Sequence, residues 1–346
     1  MIRTPTIFVV GAGASCELNF PSGSKLLEQI AATLDIRFNN REQESGDPRV
    51  FAALDELARS NDGRQTDVNL YLQACWRIRD AAHLGLSIDN VINQLDDDPF
   101  VAVCGKLGIA RQLLLAEKNS VIRIDREDPS NLPLAAVRAT WLGRFAQLIS
   151  QDMRASALDE IFDNVSVISF NYDRSIRRFL PHALMSQFAL SEHTAQALAR
   201  KLKIYHPYGS LGQLQWEAGY PNGVGYGDAE TARLVKVASS LRTFTEQIED
   251  SSELTEMRNA LSFAERIVFL GFGYHRQNME LLAMGVRPIT KRVYGTSLGL
   301  SNSDADVVAG QLSAFFGEPY RAHNTAALFP TACVDFLDEH SRTFAS

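Results

Sequence analysis

The chain predicts an α/β fold, Rossmann-like, with a mostly parallel sheet and a large α-helical insertion, and three observations carry that prediction. Residues 5–15 form an apolar run of strand length that breaks into Gly11-Ala12-Gly13-Ala14-Ser15. Four later segments repeat the order of apolar strand, then small or polar loop: 165–170 into Asn171-Tyr172-Asp173, 203–206 into Pro207-Tyr208-Gly209-Ser210, 266–270 into Gly271-Phe272-Gly273, and 291–294 into Gly295-Thr296-Ser297. Helical spacing separates most of these strands, the pattern of crossover connections in a parallel sheet. In such sheets the strand C-termini share one edge and ligands bind there. Asn171, Asp173, His206, Ser210 and the Gly11 turn therefore converge on one cleft.

Taken in order, residues 7–10 are apolar on both faces, as a buried parallel strand requires. Gly11 and Gly13 permit a tight turn with the backbone close to a ligand, and Ala14-Ser15 opens a helix whose free N–H groups favour an anion. Cys16 stands where the dinucleotide fingerprint has its third glycine, and no acidic residue closes a second strand about 20 residues later, so a turn serving chain geometry alone stays open. Leu26, Leu27, Ile30 and Leu34 recur at helical spacing, as do Leu107, Ile109, Ala110 and the leucines at 113–115. Residues 39–47 read as a loop. Ser87 or Asp89 caps a helix over the Ile88-Asp89 segment, and Asp96-Asp97-Asp98 before Pro99 reads as a helix end and turn rather than a metal site. Arg174, Arg177 and Arg178 share one helix face, read as solvated or ion-paired. Residues 213–228 read as a long surface loop, either a lid or a partner contact. From Ser303, as N-cap, the chain returns to helix, turning Val307, Val308, Leu312 and Phe315 inward and stopping at Gly317.

In this order the motifs resemble the sirtuin-like superfamily of NAD-consuming proteins, over the first two dozen residues and from about position 160 onward. Gly11-Ala12-Gly13-Ala14-Ser15 looks like the family's Gly-Ala-Gly-x-Ser, Asn171-Tyr172-Asp173 like its Asn-x-Asp, and Gly271-Phe272-Gly273 and Gly295-Thr296-Ser297 like its later Gly-rich strand ends. Phe20-Pro21-Ser22-Gly23 resembles the Pro-x-Gly of a bacterial branch whose members include NAD-hydrolysing antiphage effectors. The resemblance implies a sirtuin-like domain over 1–24 and 160–346, a helical insertion over 25–159, and NAD as substrate. It assigns Gly11, Ala12, Gly13, Ala14, Ser15, Asp173, Gly209, Ser210, Gly271, Gly273, Gly295, Thr296 and Ser297 to dinucleotide binding. It also implies an oligomer or a separately encoded partner subunit. Where the family carries His-Gly-Ser, this chain has Tyr208-Gly209-Ser210.

With 346 residues, 45% hydrophobic and 22% charged, the chain is long enough for a core of about 200 residues plus a smaller unit. A net charge of −7 argues against general nucleic-acid binding. Four scattered cysteines, with no Cys-x-x-Cys pair, lack the pattern of a structural zinc site; the zinc module of the sirtuin deacylases has no counterpart, which counts against deacylation. No signal peptide and no run of about 18 apolar residues is read from the sequence, so a cytoplasmic, membrane-free location is expected.

Cleaving the nicotinamide–ribose bond passes through an oxocarbenium-like state that needs polar groups around the ribose and a positioned water. By resemblance Asn171 leads that set, since its amide can donate to ribose hydroxyls without titrating. Asp173 is either a carboxylate holding that loop or an N-cap for the helix that follows. Tyr208 occupies the catalytic histidine's position, yet a phenol of ordinary pKa near 10 is a poor base at neutral pH. His206 either takes over that role or is a hydrogen-bonded strand-end histidine. The catalytic candidates are thus Asn171, His206 and Tyr208, and two functions stand: an NAD glycohydrolase acting in antiphage defence, or a catalytically weak module that binds NAD or ADP-ribose.

Overall fold

The computed structural model describes residues 2–60, 66–124, 132–219, 222–243, 246, 252–283, 292–316 and 326–345. β1 (Thr6–Val10) is buried at all five positions and pairs in parallel on both sides. Its neighbours are β4 (Val165–Ser169) and β6 (Arg266–Leu270), with β5 (Lys203–Tyr205) beyond β4 and β7 (Arg292–Thr296) then β8 (Ala326–Phe329) beyond β6. Every pairing in this sheet is parallel. Counted by appearance, the six strands lie in the order 3-2-1-4-5-6, the doubly wound arrangement whose ligand crevice opens between the first and fourth strands. The register sets Val10 beside both Ser169 and Leu270, so the loops after β1, β4 and β6 leave the sheet at one level.

The Trp141–Ser150 helix covers this sheet, its Phe145 ring meeting Phe8 edge-on at 5.2 Å. A helical block precedes it, packed around the 20-residue Pro99–Lys118 helix. That helix is buried almost all round by helices Gly23–Leu34, Val68–Ala81, Pro48–Ser60 and Leu234–Ser239, and one apolar cluster joins the block to the sheet. By length and composition it is apolar enough to cross a membrane, which differs from the reading that no such run exists; 61% of its most apolar window is buried inside the fold. Its interior polar residues are paired. Arg111 Nε donates to Asp47 at 2.7 Å, and Glu117 holds Arg174.

Four local expectations change. Residues 39–47 are not a loop throughout, because β2 (Arg37–Asn39) and β3 (Glu42–Ser45) form a hairpin. Asn40 and Arg41 both take positive φ at its tip, the geometry a two-residue turn demands. β8 was not among the predicted strands; Ala-Ala-Leu-Phe lacks β-branched residues and takes its place from pairing with β7. The helix expected from Ser303 runs Asn302–Phe316 and is capped two residues earlier than expected, by Ser301, whose Oγ accepts from Asp304 N at 3.1 Å; helices Cys333–Glu339 and Ser341–Ala345 follow it. Val307 consequently faces solvent at 57% exposure, while Val308, Leu312 and Phe316 form the buried stripe. Gly317 and Lys291 lie outside the described residues. Ser87 caps its helix as expected, while Ser22 and Asp98, not expected as caps, also accept a backbone N–H at the start of a helix.

Candidate functional site at the sheet edge

The Gly-x-Gly turn meets backbone rather than open space. Gly13 N donates to Gly271 O at 2.9 Å, Gly11 N to Leu270 O at 3.0 Å, and Ala14 N to Gly11 O at 3.0 Å. Gly271 takes φ +55°, and a Cβ there would stand 2.0 Å from Ala14 N; a Cβ on Gly11 would stand 2.6 Å from Gly271 O, and one on Gly13 2.9 Å from it. These glycines let two strand ends touch, which accounts for them by chain geometry. A bulky residue at Gly13 therefore reports on this packing before it reports on any ligand.

Asn171, at the end of β4, is tied to the turn. Its Nδ2 donates to Gly11 O at 2.9 Å and to Ser15 Oγ at 2.8 Å. A carbonyl only accepts, so the amide nitrogen faces Gly11 and Oδ1 is the atom left for a ligand: an acceptor, where the sequence suggested a donor. Ser15 passes its own proton to Asp173 Oδ2 at 2.7 Å, and Asp173 Oδ1 accepts from Ser175 N at 3.0 Å. Asp173 thus fills both roles considered for it, holding the loop and receiving the first N–H of the Ser175–Phe188 helix. His206 follows β5 and brings Nδ1 to 3.3 Å from Asn171 O. Because that carbonyl cannot donate, Nδ1 carries the hydrogen and Nε2 keeps its lone pair. Desolvation lowers the His206 pKa, outweighing the Asn171 carbonyl that raises it, so the ring is neutral at pH 7.

Ser15, Asn171, Asp173 and His206 line one recess together with Trp141 and Arg177. Trp141 and Arg177 were not read as site residues. Trp141 comes from the helical stretch with no motif around it, and only the tertiary fold brings it here.

Tyr208 does not line that recess. It is 5% exposed, packs edge-on to Phe170, and donates to Asn278 Oδ1 at 2.9 Å. Burial pushes its phenol further up, and the Asp89 charge adds to that. Asp89, read from sequence as a cap, instead lies 3.4 Å from Tyr172 OH, whose one proton is shared with the nearer Arg242 carbonyl at 3.0 Å, while Ser87 does the capping. Desolvation lifts the Asp89 carboxyl to about 6. Between its ordinary value near 4 and about 6 the folded state binds the extra proton, so this group lowers stability as pH rises through that window. Asp89→Asn is accordingly expected to be more stable than wild type at pH 7.5, by on the order of 1–3 kcal/mol, with the gain vanishing near pH 4; thermal melts of both proteins across pH 4–7.5 measure it.

The remaining candidates are more dispersed. Gly209 takes φ +76° and bridges Leu241, where a Cβ would lie 2.0 Å from Ser240 O. Half-buried Ser210 follows it. Gly273 lies against the His275 ring. Gly295 and Thr296 are the last two residues of β7 rather than loop: a Cβ on Gly295 would strike Tyr274 Oη at 2.4 Å, and Thr296 Oγ1 accepts from Gly271 N at 2.8 Å. Ser297 is buried, with its N–H on Phe329 O at 2.7 Å. Thr296 thereby ties the end of β7 to the Gly271 loop.

The arginine face is ion-paired and buried, not solvated. Arg174 donates through Nε and Nη2 to Glu117 at 3.0 and 2.5 Å and through Nη1 and Nη2 to the carbonyls of Val224 and Gly225. Arg178 lies over the Tyr226 ring, and Arg177 pairs with Glu217 and donates to the carbonyls of Ala199 and Leu202. Segment 213–228, apart from 220–221 outside the described residues, is therefore pinned down by all three. Among the described residues no group of three or more His, Cys, Asp or Glu is placed to hold a metal ion. No protein-family model and no curated protein matches the chain.

Proposed function

We propose that this protein is an NAD glycohydrolase that cleaves NAD to nicotinamide and ADP-ribose, an NAD-depleting effector of bacterial antiphage defence that works in the cytoplasm as an oligomer or with a separately encoded subunit. The observation that carries the reading is the joining of Ser15, Asn171, Asp173 and His206 by hydrogen bonds around one recess at the C-terminal edge of the sheet. In the reaction the glycosidic C–N bond breaks with its electron pair going to the pyridinium nitrogen, so nicotinamide leaves neutral. Asn171 Oδ1 accepts a hydrogen bond from the incoming water or a ribose hydroxyl, and His206 Nε2 takes the water's proton as its oxygen bonds to the ribose carbon. The proton passes to solvent, leaving ADP-ribose.

A binding module without turnover is the second reading, favoured by the engagement of Tyr208 with Asn278 away from the recess. Two variants separate them. His206→Ala is expected to slow nicotinamide release by about 10²- to 10⁴-fold, far more than it weakens ADP-ribose binding. A rise in release with Tyr208→His, and no change with His206→Ala, would favour the binding module.

A further inference from the structure

We infer that Arg242 holds the pyrophosphate of the dinucleotide, in a second recess on the far side of His206; the inference rests on the NAD reading above. NAD and ADP-ribose carry two phosphate charges, and a site for them needs cationic or N–H donors that are not already engaged. The Gly-rich turn offers little: the N–H groups of Gly11, Gly13 and Ala14 all have backbone acceptors, and the helix they open is five residues long. Arg174 and Arg177 are fully engaged by Glu117, Glu217 and backbone carbonyls. Arg276 pairs with Glu280.

Arg242 differs from all of these. Its backbone is fixed, the N–H on Tyr208 O at 2.8 Å and the carbonyl accepting from Tyr172 OH at 3.0 Å. Its guanidinium is exposed and has no hydrogen bond or ion pair among the described residues. It lines a recess with Tyr205, His206, Glu253 and Met257, so His206 is common to both recesses. A ligand with its nicotinamide ribose against Asn171 and His206 therefore carries its phosphates toward Arg242. Glu253 marks the side that a phosphate avoids; one of its oxygens already accepts from His206 N at 3.1 Å.

Calorimetry with two probes tests this. ADP-ribose carries both phosphates, whereas nicotinamide riboside carries none. Arg242→Ala is expected to weaken ADP-ribose binding about tenfold or more, leaving nicotinamide riboside binding and the melting temperature unchanged. Glu253→Gln is expected to tighten ADP-ribose binding, and raised salt to weaken it in wild type but far less in Arg242→Ala. Equal ADP-ribose affinity in wild type and Arg242→Ala overturns the assignment while leaving the NAD reading standing, and so does an equal loss for both probes. Wild type that binds neither probe overturns the NAD reading along with it.

Discussion

Asn171→Ala is expected to reduce nicotinamide release by about 10²- to 10³-fold, the scale set by removing one preorganised polar group from a charge-developing centre. The variant loses Oδ1, which has no partner among the described residues, and with it the acceptor that orients water or the ribose. It also loses the bonds to Gly11 O and Ser15 Oγ, so the fold is less indifferent to it than a loop residue at a sheet edge suggests. At about 1 kcal/mol per hydrogen bond, stability should drop by about 2 kcal/mol, seen as a melting point lowered by a few degrees. Ser15→Ala supplies the control. It removes the tie between Asn171 and Asp173 while leaving Oδ1 in place, and is expected to share the stability loss but keep most of the turnover. Equal activity losses in the two variants would reduce Asn171 to a structural brace.

Glu117→Ala carries the largest expected stability loss. Glu117 is fully buried and accepts from the Arg174 backbone N at 3.2 Å, from its guanidinium, and from Gly227 N at 2.9 Å. Removing it leaves a guanidinium 3% exposed with no counter-charge and orphans two backbone donors. Breaking one partner of a buried pair costs about 3–5 kcal/mol. The same deletion loosens segment 213–228, whose Tyr226 OH shares hydrogen bonds with Ser120 and Ser175. Denaturant titration measures the loss, and a midpoint shift equivalent to less than about 1 kcal/mol would contradict this account of the pair. Replacing both partners by apolar residues, Glu117→Leu with Arg174→Met, is expected to recover much of the stability, since the desolvation cost disappears with the charges.

The parallel sheet was legible because its strands are short apolar runs that end in Gly or polar residues, and burial on both faces leaves that signature in almost any context. β8 lacked it, and β2 and β3 are exposed strands whose turn is made by Asn40 and Arg41 rather than glycine. Ser301 and Ser303 both stand within three residues of Asp304, and only the backbone decides which one caps. At the site, the glycines were located correctly but their contacts were not visible: Gly11, Gly13 and Gly271 face one another across the sheet, a relation that separations of about 260 residues hide. The same limit applies to Arg174, whose partner Glu117 is 57 positions away. Asp89 was read through its position at a helix start, and nothing local indicates that its side chain turns toward Tyr172. Asn171, Asp173 and His206 were legible as neighbours because strand C-termini in a parallel sheet must share an edge.

The central claim is that Asn171 and His206, held in place by Ser15 and Asp173, hydrolyse NAD. Its most direct test is the quantification of free nicotinamide and ADP-ribose after incubating NAD with the purified wild-type chain and with Asn171→Ala, over a concentration series followed by light scattering so that every assembly state is sampled. The account predicts one nicotinamide per ADP-ribose from wild type, increasing with assembly, and release from Asn171→Ala reduced by the factor given above. Absence of nicotinamide release by wild type in every assembly state, or equal release by the two proteins, would contradict it.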